Sequence, residues 1–476
     1  MRLKRNFLFL MLIGVAPLPL ASQDWPMWGG TPQRNMASAM KNLPESWDAK
    51  GGKNIKWKAA LGSTSYGNLV VADGKIFLGT NNANPRNPEI AGDKGVLMCL
   101  RESDGSFLWQ AVTDKLESGM ETDWPEQGVC SSPAVEGKRL YYVSNRGELI
   151  CLDVEGFMDG KNDGVFQDEV RKGPADADII WNLDMKKDLG VSQLYMANSS
   201  PVVWEDLVFV ETSNGRDSTD EKVIAPQALS FIAVNKDTGK VVWKDNSPGE
   251  GILHGQWSSP ALGQVDGIQQ VFFPGGDGWL YGFNARTGEK LWKFDLNPKD
   301  AVWPRTRNYG VSTPVFSGGK VFMSVGKDPD SGQGVGHAYC IDPARRGDIT
   351  ESGKVWQYDK ISRSISTAAI ADGLIFLSDY KGLLHCLDVS TGKPYWTFDM
   401  LAPVWGSPLV ADGKVYVGDQ DGDVAVLKAD MEMKKISEID MGNSVFSTPV
   451  PANGVLYIMT ASGLYAIAGS ASGSEK

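Results

Sequence analysis

Three histidines, five cysteines and a small group of arginines are the residues of this chain best suited to chemistry. His254 lies in the polar and aromatic run Leu253-His254-Gly255-Gln256-Trp257. An imidazole titrates near neutral pH, so His254 is the first candidate for acid–base work. Binding or loop support is its more ordinary role, and no catalytic residue is assigned. Arg305, Arg307 and Tyr309 fall within seven residues of Trp303, and Arg363 sits in Ser362-Arg363-Ser364. Converging guanidinium groups suit a carboxylate or another anion, and the faces of Trp257 and Trp405 suit a planar ring. The candidate face for a ligand or partner is therefore His254, Gln256, Trp257, Arg305, Arg307, Tyr309, Arg363 and Trp405. The bland reading is that polar loop residues are solvated and that Trp caps the structure beneath.

These residues are positioned by a repeat. Seven of eight segments open on a phrase such as Ser131-Ser132-Pro133, Ser258-Ser259-Pro260 or Ser447-Thr448-Pro449, and the first reads Gly67-Asn68-Leu69. The last starts, Ala368, Pro408 and Pro449, are about 40 residues apart, the size of one propeller blade. Longer steps earlier in the chain contain insertions. After the phrase comes a hairpin turn, as in Asp73-Gly74, Asp372-Gly373, Asp412-Gly413 and Asn453-Gly454. Asp or Asn before Gly tolerates the positive φ of a type I′ turn. A second strand, a third strand, a Thr-Gly turn and a fourth strand with Trp follow, as in Thr238-Gly239 before Trp243. The pattern predicts an all-β, eight-bladed β-propeller of four-stranded antiparallel blades. The loops before each phrase, which hold the candidate residues, would line the mouth of the central channel.

The eighth repeat stops after its third strand, at Tyr465-Ala466-Ile467-Ala468. Asn54-Ile55-Lys56-Trp57-Lys58 looks like an isolated fourth strand, so this N-terminal strand is predicted to complete the last blade. Cys99, Cys151, Cys340 and Cys386 share one repeat position with Ala233, Gly282, Ala425 and Ala466. That position asks for a small apolar side chain, so these four are expected to be unpaired packing residues. Cys130 has no assignable partner. A Trp repeated once per blade is expected to pack between blades. Repeat seven lacks the Thr-Gly turn and the Trp, so its outer edge is expected to be irregular or open to a partner strand.

Metal binding is not expected. There is no Cys-x-x-Cys, and the acidic loops around Asp328 and Asp330, around Asp159 to Asp168 and around Asp419 to Asp423 lack the full spacing of a calcium loop. The net charge of −11 argues against nucleic acid and anionic membrane as partners. Arg2, Lys4 and Arg5 precede an apolar run from Phe7 to Leu20, too short to span a bilayer. Residues 1–22 are expected to be a signal peptide, 23–53 an N-terminal extension, 54–468 the propeller and 469–476 a disordered tail. The mature chain would be periplasmic or secreted, with no integral membrane segment.

The run Ala233-Val234-Asn235-Lys236-Asp237-Thr238-Gly239-Lys240-Val241-Val242-Trp243 resembles the repeat of the pyrroloquinoline-quinone (PQQ) propeller superfamily. Gly282 to Trp292 and Cys386 to Trp396 resemble it nearly as well. Asp24-Trp25-Pro26-Met27-Trp28-Gly29-Gly30 looks like the start that precedes uncharacterised exported members. The resemblance implies a Trp that docks each blade on its neighbour. It also implies one of two activities: quinone-dependent oxidation of alcohols or sugars with PQQ and calcium, or a cofactor-free scaffold. The dehydrogenases of that superfamily carry adjacent cysteines, and no two are adjacent here. The preferred expectation is a non-enzymatic binding or scaffold protein without a cofactor, whose loop face takes a protein or a small anionic or aromatic ligand. The alternative is a PQQ-dependent oxidoreductase with a noncanonical site.

Overall fold

A computed structural model describes residues 23–469. The expected signal peptide and all but the first residue of the expected tail lie outside the described residues. Eight sheets follow one another in chain order, each running from an inner to an outer strand. Blade 1 contains Val70–Ala72, Lys75–Asn81, Lys94–Arg101 and Phe107–Asp114. Blades 2 to 7 begin on Ala134–Glu136, Val202–Trp204, Ala261–Val265, Val315–Ser317, Ala369–Ala371 and Leu409–Ala411. The protein is an eight-bladed propeller of four-stranded antiparallel blades. Blade 4 gains a short parallel strand, Gly347–Asp348, on its outer edge, and blade 7 gains Ala37–Ser38 on its inner edge.

Blade 8 has three strands from the C-terminal end, the last being Gly463–Ala468, and its fourth is Ile55–Ala60. Trp57 pairs with Ala466 and Ile55 with Ile467, antiparallel. A ring closed this way joins the two ends of the propeller by a full ladder of backbone hydrogen bonds.

The tight turns form as the residue types dictate. Asp73 and Gly74 both have positive φ, as do Asp372-Gly373, Asp412-Gly413 and Asn453-Gly454. The Trp residues do dock blades. Trp57 Nε1 donates to Glu102 O, Trp109 to Val154 O, Trp181 to Lys236 O, Trp243 to Ala285 O, Trp356 to Val389 O and Trp396 to Asp430 O. Each acceptor lies in the next blade. The Thr-Gly turn of that next blade lies against the ring: a Cβ on Gly239 would sit 2.6 Å from Trp181. Trp292 departs from this pattern and donates within blade 4, to Gln270 Oε1.

The four cysteines of the repeat face these tryptophans across the ladder, Cys99 opposite Trp109 and Cys386 opposite Trp396. All five cysteines are buried free thiols. Blade 7 places Glu438 opposite Ala425, where the others have Trp. The N-terminal extension compensates there: Trp47 is buried and donates to Met441 Sδ, and Tyr416 OH donates to Pro44 O.

Residues 23–38 were expected only as an extension. They run as a strap around the inside of the ring and touch every blade. Asn453 of blade 8 bonds Gln23, Val71 of blade 1 exchanges backbone bonds with Trp25, and Val135 N of blade 2 donates to Pro26 O. Leu262 N, Phe316 N and Val410 N of blades 4, 5 and 7 donate to Pro32, Gln33 and Met36. Ile370 N of blade 6 donates to Asn35 Oδ1. Blade 3 is reached by Arg34, whose Nη2 donates to Ser200 O and Pro201 O. The innermost strands of a propeller have a free edge, and the strap satisfies its N–H groups.

Candidate functional site

The repeated phrase builds the channel wall. At six of the eight blade junctions its second residue carries a side-chain acceptor that receives the backbone N–H of the blade before. Asn68 N donates to Ser132 Oγ at 2.8 Å, Ser132 N to Ser200 Oγ at 3.0 Å, and Ser200 N to Ser259 Oγ at 2.8 Å. Thr367 N donates to Ser407 Oγ, Ser407 N to Thr448 Oγ1, and Thr448 N to Asn68 Oδ1. Asn68 replaces the hydroxyl in blade 1 and bonds both ways, its Nδ2 donating to Thr448 O. This hydroxyl hoop is the physical reason for Ser or Thr before the proline.

Above the hoop opens a cavity of about 380 Å³. The residue directly before each phrase lines it. Four of these are aromatic: Tyr66, Trp257, Trp405 and Phe446. The other four, Cys130, Asn198, Val311 and Ile365, are smaller and leave the space. The lining aromatics form two walls. In one, Tyr66 lies 4.9 Å from Phe446 and 5.5 Å from Trp405, centroid to centroid. In the other, Tyr195 lies 5.1 Å from Trp124 and 6.1 Å from Trp257. Trp28 of the strap also lines the cavity, as do Ser132, Ser200, Ser259, Thr313 and Thr367 of the phrases. The charged residues of the lining are Asp328 and Asp330, from the insertion of blade 5.

Beneath this lining Arg34 is completely buried. Its guanidinium donates to Trp28 O, Ser200 O, Pro201 O and Pro260 O at 2.8–2.9 Å. Burial alone lowers it to about 9. Burial likewise pushes the Cys130 thiol up to about 12, so Cys130 is a poor nucleophile although it lines the cavity. Tyr66 is pushed up to about 12 by burial and is a neutral phenol.

The residues singled out in the sequence are placed in three ways. Trp257 and Trp405 line the cavity, with Nε1 groups bonded to Leu194 O and Gln420 Oε1. His254 and Tyr309 stand behind Trp257, 5.3 and 6.2 Å from it by ring centroid. His254 Nδ1 lies 2.6 Å from Asp220, and Tyr309 OH donates to Asp328 Oδ2 at 2.6 Å. Gln256 is fully buried; it donates to Asn214 O and Ser230 Oγ, and its Oε1 accepts from Gly276 N.

The three arginines are not brought together on the cavity wall. Arg363 is buried and donates to Ser331 O, Gly332 O and Arg305 O, which ties down the blade 5 insertion. Arg307 pairs with Asp295 and donates to Asp277 O. Arg305 is exposed on the loop beyond. Each local carbonyl or carboxylate was the nearer partner. Sequence reasoning missed Trp28, Tyr66 and Phe446. The signal for the last two was the position before the phrase.

A buried carboxyl network lies behind the wall of blades 3 and 4. Glu211 is fully buried, and burial holds it well above the usual carboxylate range, with the nearby Asp277 charge adding to the effect. Its Oε2 accepts from Ser258 N. Asp277 is raised to about 6 by burial, against the Tyr281 hydroxyl that bonds it at 2.5 Å. Among the described residues no group of three or more His, Cys, Asp or Glu could hold a metal ion.

A family model described as outer membrane protein assembly factor BamB matches residues 172–351 and 345–435, more than half of the chain. No curated protein sequence matches. Among solved structures, BamB from Moraxella catarrhalis aligns with a TM-score of 0.56 at 15% identity, over 87% of this chain and 97% of its own. Quinohemoprotein alcohol dehydrogenase from Comamonas testosteroni aligns with a TM-score of 0.62 at 15% identity, over 95% and 82%. A europium-containing methanol dehydrogenase gives 0.51 at 12% identity, over 94% and 98%. At these identities the structural likeness is one of fold. The repeat, the docking tryptophans and the family match together mean that the chain belongs to the PQQ-repeat β-propeller family whose model is described as outer membrane protein assembly factor BamB.

Proposed function

We propose that this protein is a non-enzymatic binding propeller, exported to the periplasm or beyond, that receives a ligand or a partner's side chain in the cavity of its loop face. One observation carries this reading. The cavity is walled by aromatic rings and by serines, Ser132, Ser200 and Ser259, whose hydroxyl oxygens are engaged between blades, an arrangement suited to binding. No Lys, Arg or His lines it, so no imidazole or neutral amine stands beside those hydroxyls to take a proton. No helix among the described residues is long and apolar enough to cross a membrane.

PQQ fits this lining poorly. It is a planar tricarboxylate that needs cationic partners and, in the dehydrogenases, a calcium ion. The charges of the lining are carboxylates; of the arginines foreseen for an anion, Arg307 and Arg363 are engaged elsewhere and Arg305 is exposed outside the lining. The rival reading, a quinone-dependent oxidoreductase, shares the fold, and a titration separates the two. Adding PQQ with calcium to the purified chain is expected to give no spectral change. Alcohols or sugars are then expected to reduce no artificial electron acceptor. Tight quinone binding followed by turnover would overturn the proposal.

A further inference from the structure

We infer that the cavity selects an organic cation, an alkylammonium or guanidinium head group, held between the two aromatic walls and facing Asp328 and Asp330. The inference rests on the binding reading above and names the ligand class for the same site. Two observations meet here. First, the lining is aromatic on two sides, with Tyr66, Trp405 and Phe446 on one and Trp124, Tyr195 and Trp257 on the other. Ring faces carry negative potential and attract a desolvated cation, most strongly for Trp. Second, the lining's own charges are both carboxylates. Asp328 is fixed by Tyr309 OH and by Ser331 N and Oγ, so its charge is held in place at the wall.

The nearby cations Lys327 and Arg363 offset part of the Asp328 charge and leave Asp330 as the freer carboxylate. Arg363 and Lys327 are buried behind the blade 5 insertion, Lys327 donating to Pro304 O and lying 4.2 Å from the Trp303 ring. Arg34 lies under Trp28 and Ser200, with its bonds directed at carbonyls. Its charge acts against a cation at the floor, so the head group belongs toward the mouth, on the Asp330 side. A volume of about 380 Å³ admits such a head group with part of its chain. The head group can belong to a free alkylammonium or to a basic side chain of a partner protein. The chemistry is the same, and the probes distinguish the two.

The test compares choline with its neutral isostere 3,3-dimethylbutan-1-ol, and acetyl-Gly-Arg-Gly-amide with its citrulline counterpart, by calorimetry on the full mature chain. Each cation is expected to bind about tenfold tighter than its neutral partner, the range of a desolvated cation–π contact. Better binding of choline identifies a free ammonium, and better binding of the arginine peptide identifies a side chain. Asp330→Asn should weaken the cation about threefold to tenfold and leave the isostere unchanged. Trp405→Leu should weaken it further, and Asp330→Asn keeps the test open if that variant does not fold. Equal binding of cation and isostere, preference for benzoate, or insensitivity to Asp330→Asn would overturn the assignment. Any of these leaves the non-enzymatic reading intact, which fails separately if PQQ with calcium binds and turns over.

Discussion

Arg34 and Glu211 are both completely buried and both ionisable, and they bond the same repeated phrase, Glu211 at Ser258 N and Arg34 at Pro260 O. Arg34, in the strap, has four carbonyl acceptors within 2.9 Å. Glu211, at the end of strand Leu207–Glu211 behind the wall, receives one N–H, from Ser258, and its Oε1 has no partner. In the strap the buried charge is bonded on all sides, and Trp28 Nε1 is left unmatched where the strap meets the cavity. Unmatched buried groups also occur on Thr367 and Asn198 of the lining and on Glu211 behind it.

The largest expected effect tests the strap. Arg34→Met fills much of the same volume but strips four buried carbonyls of a donor. At about 1 kcal/mol or more for each unsatisfied group, the loss should be about 4 kcal/mol. Thermal unfolding of the mature chain measures it. A drop in melting temperature no larger than that of a surface substitution would mean that the strap is not integral to the ring.

How far these two regions could be read in advance differs for a physical reason. The blades were legible because their chemistry repeats: Asp-Gly for positive φ, Ser-Thr before Pro, Trp on the outer strand. The closing strand was legible because Trp57 carries the same mark without its blade. The strap has no period. Its bonds are mostly backbone bonds to strands up to hundreds of residues away, and Arg34 reads in sequence as an ordinary solvated arginine. Trp257 and Trp405 were legible at the cavity because they precede the phrase. Arg305, Arg307 and Arg363 misled because sequence shows a charge but not its nearest carbonyl. Asp328 and Asp330 looked like plain loop residues, and only the folded insertion carries them to the cavity.

Glu211→Gln tests the region behind the wall with the opposite sign. The folded-state pKa of Glu211 is raised above its unfolded value, so its contribution is full below about pH 4.5 and is lost as pH rises through the folded value. Gln does not ionise, so it escapes that loss. The two proteins should melt together near pH 4 and separate above it. The variant should gain about 1.4 kcal/mol for each pH unit between the unfolded and the folded value. Melting curves between pH 4 and pH 7 decide it. A gap that is flat with pH would mean that Glu211 is ionised in the fold.

The hoop should give an intermediate effect. Ser200→Ala removes the acceptor of Ser132 N, which lies in the buried wall. The expected cost is about 1.5 kcal/mol, the penalty of one orphaned donor. Urea unfolding compares it with Arg34→Met. A cost above that of Arg34→Met would show that the hoop, and not the strap, dominates the closure of the ring.

The smallest effect is also the sharpest, because it divides two neighbours. Asp328 caps the turn Pro329–Ser331 and accepts from Tyr309 OH, whereas Asp330 is an exposed residue of the same turn. Asp328→Asn loses a charge-assisted acceptor and should cost about 1 kcal/mol. Asp330→Asn should change stability by no more than about 0.5 kcal/mol, as exposed substitutions do. The same pair should reverse order in one respect: both lower the affinity for a cation, but only Asp330→Asn does so without cost to the fold. Parallel unfolding and choline titrations of the two variants read this directly. If Asp330→Asn proved the more destabilising, the turn would be held by Asp330 and the division between structural and ligand-facing carboxylates would fall.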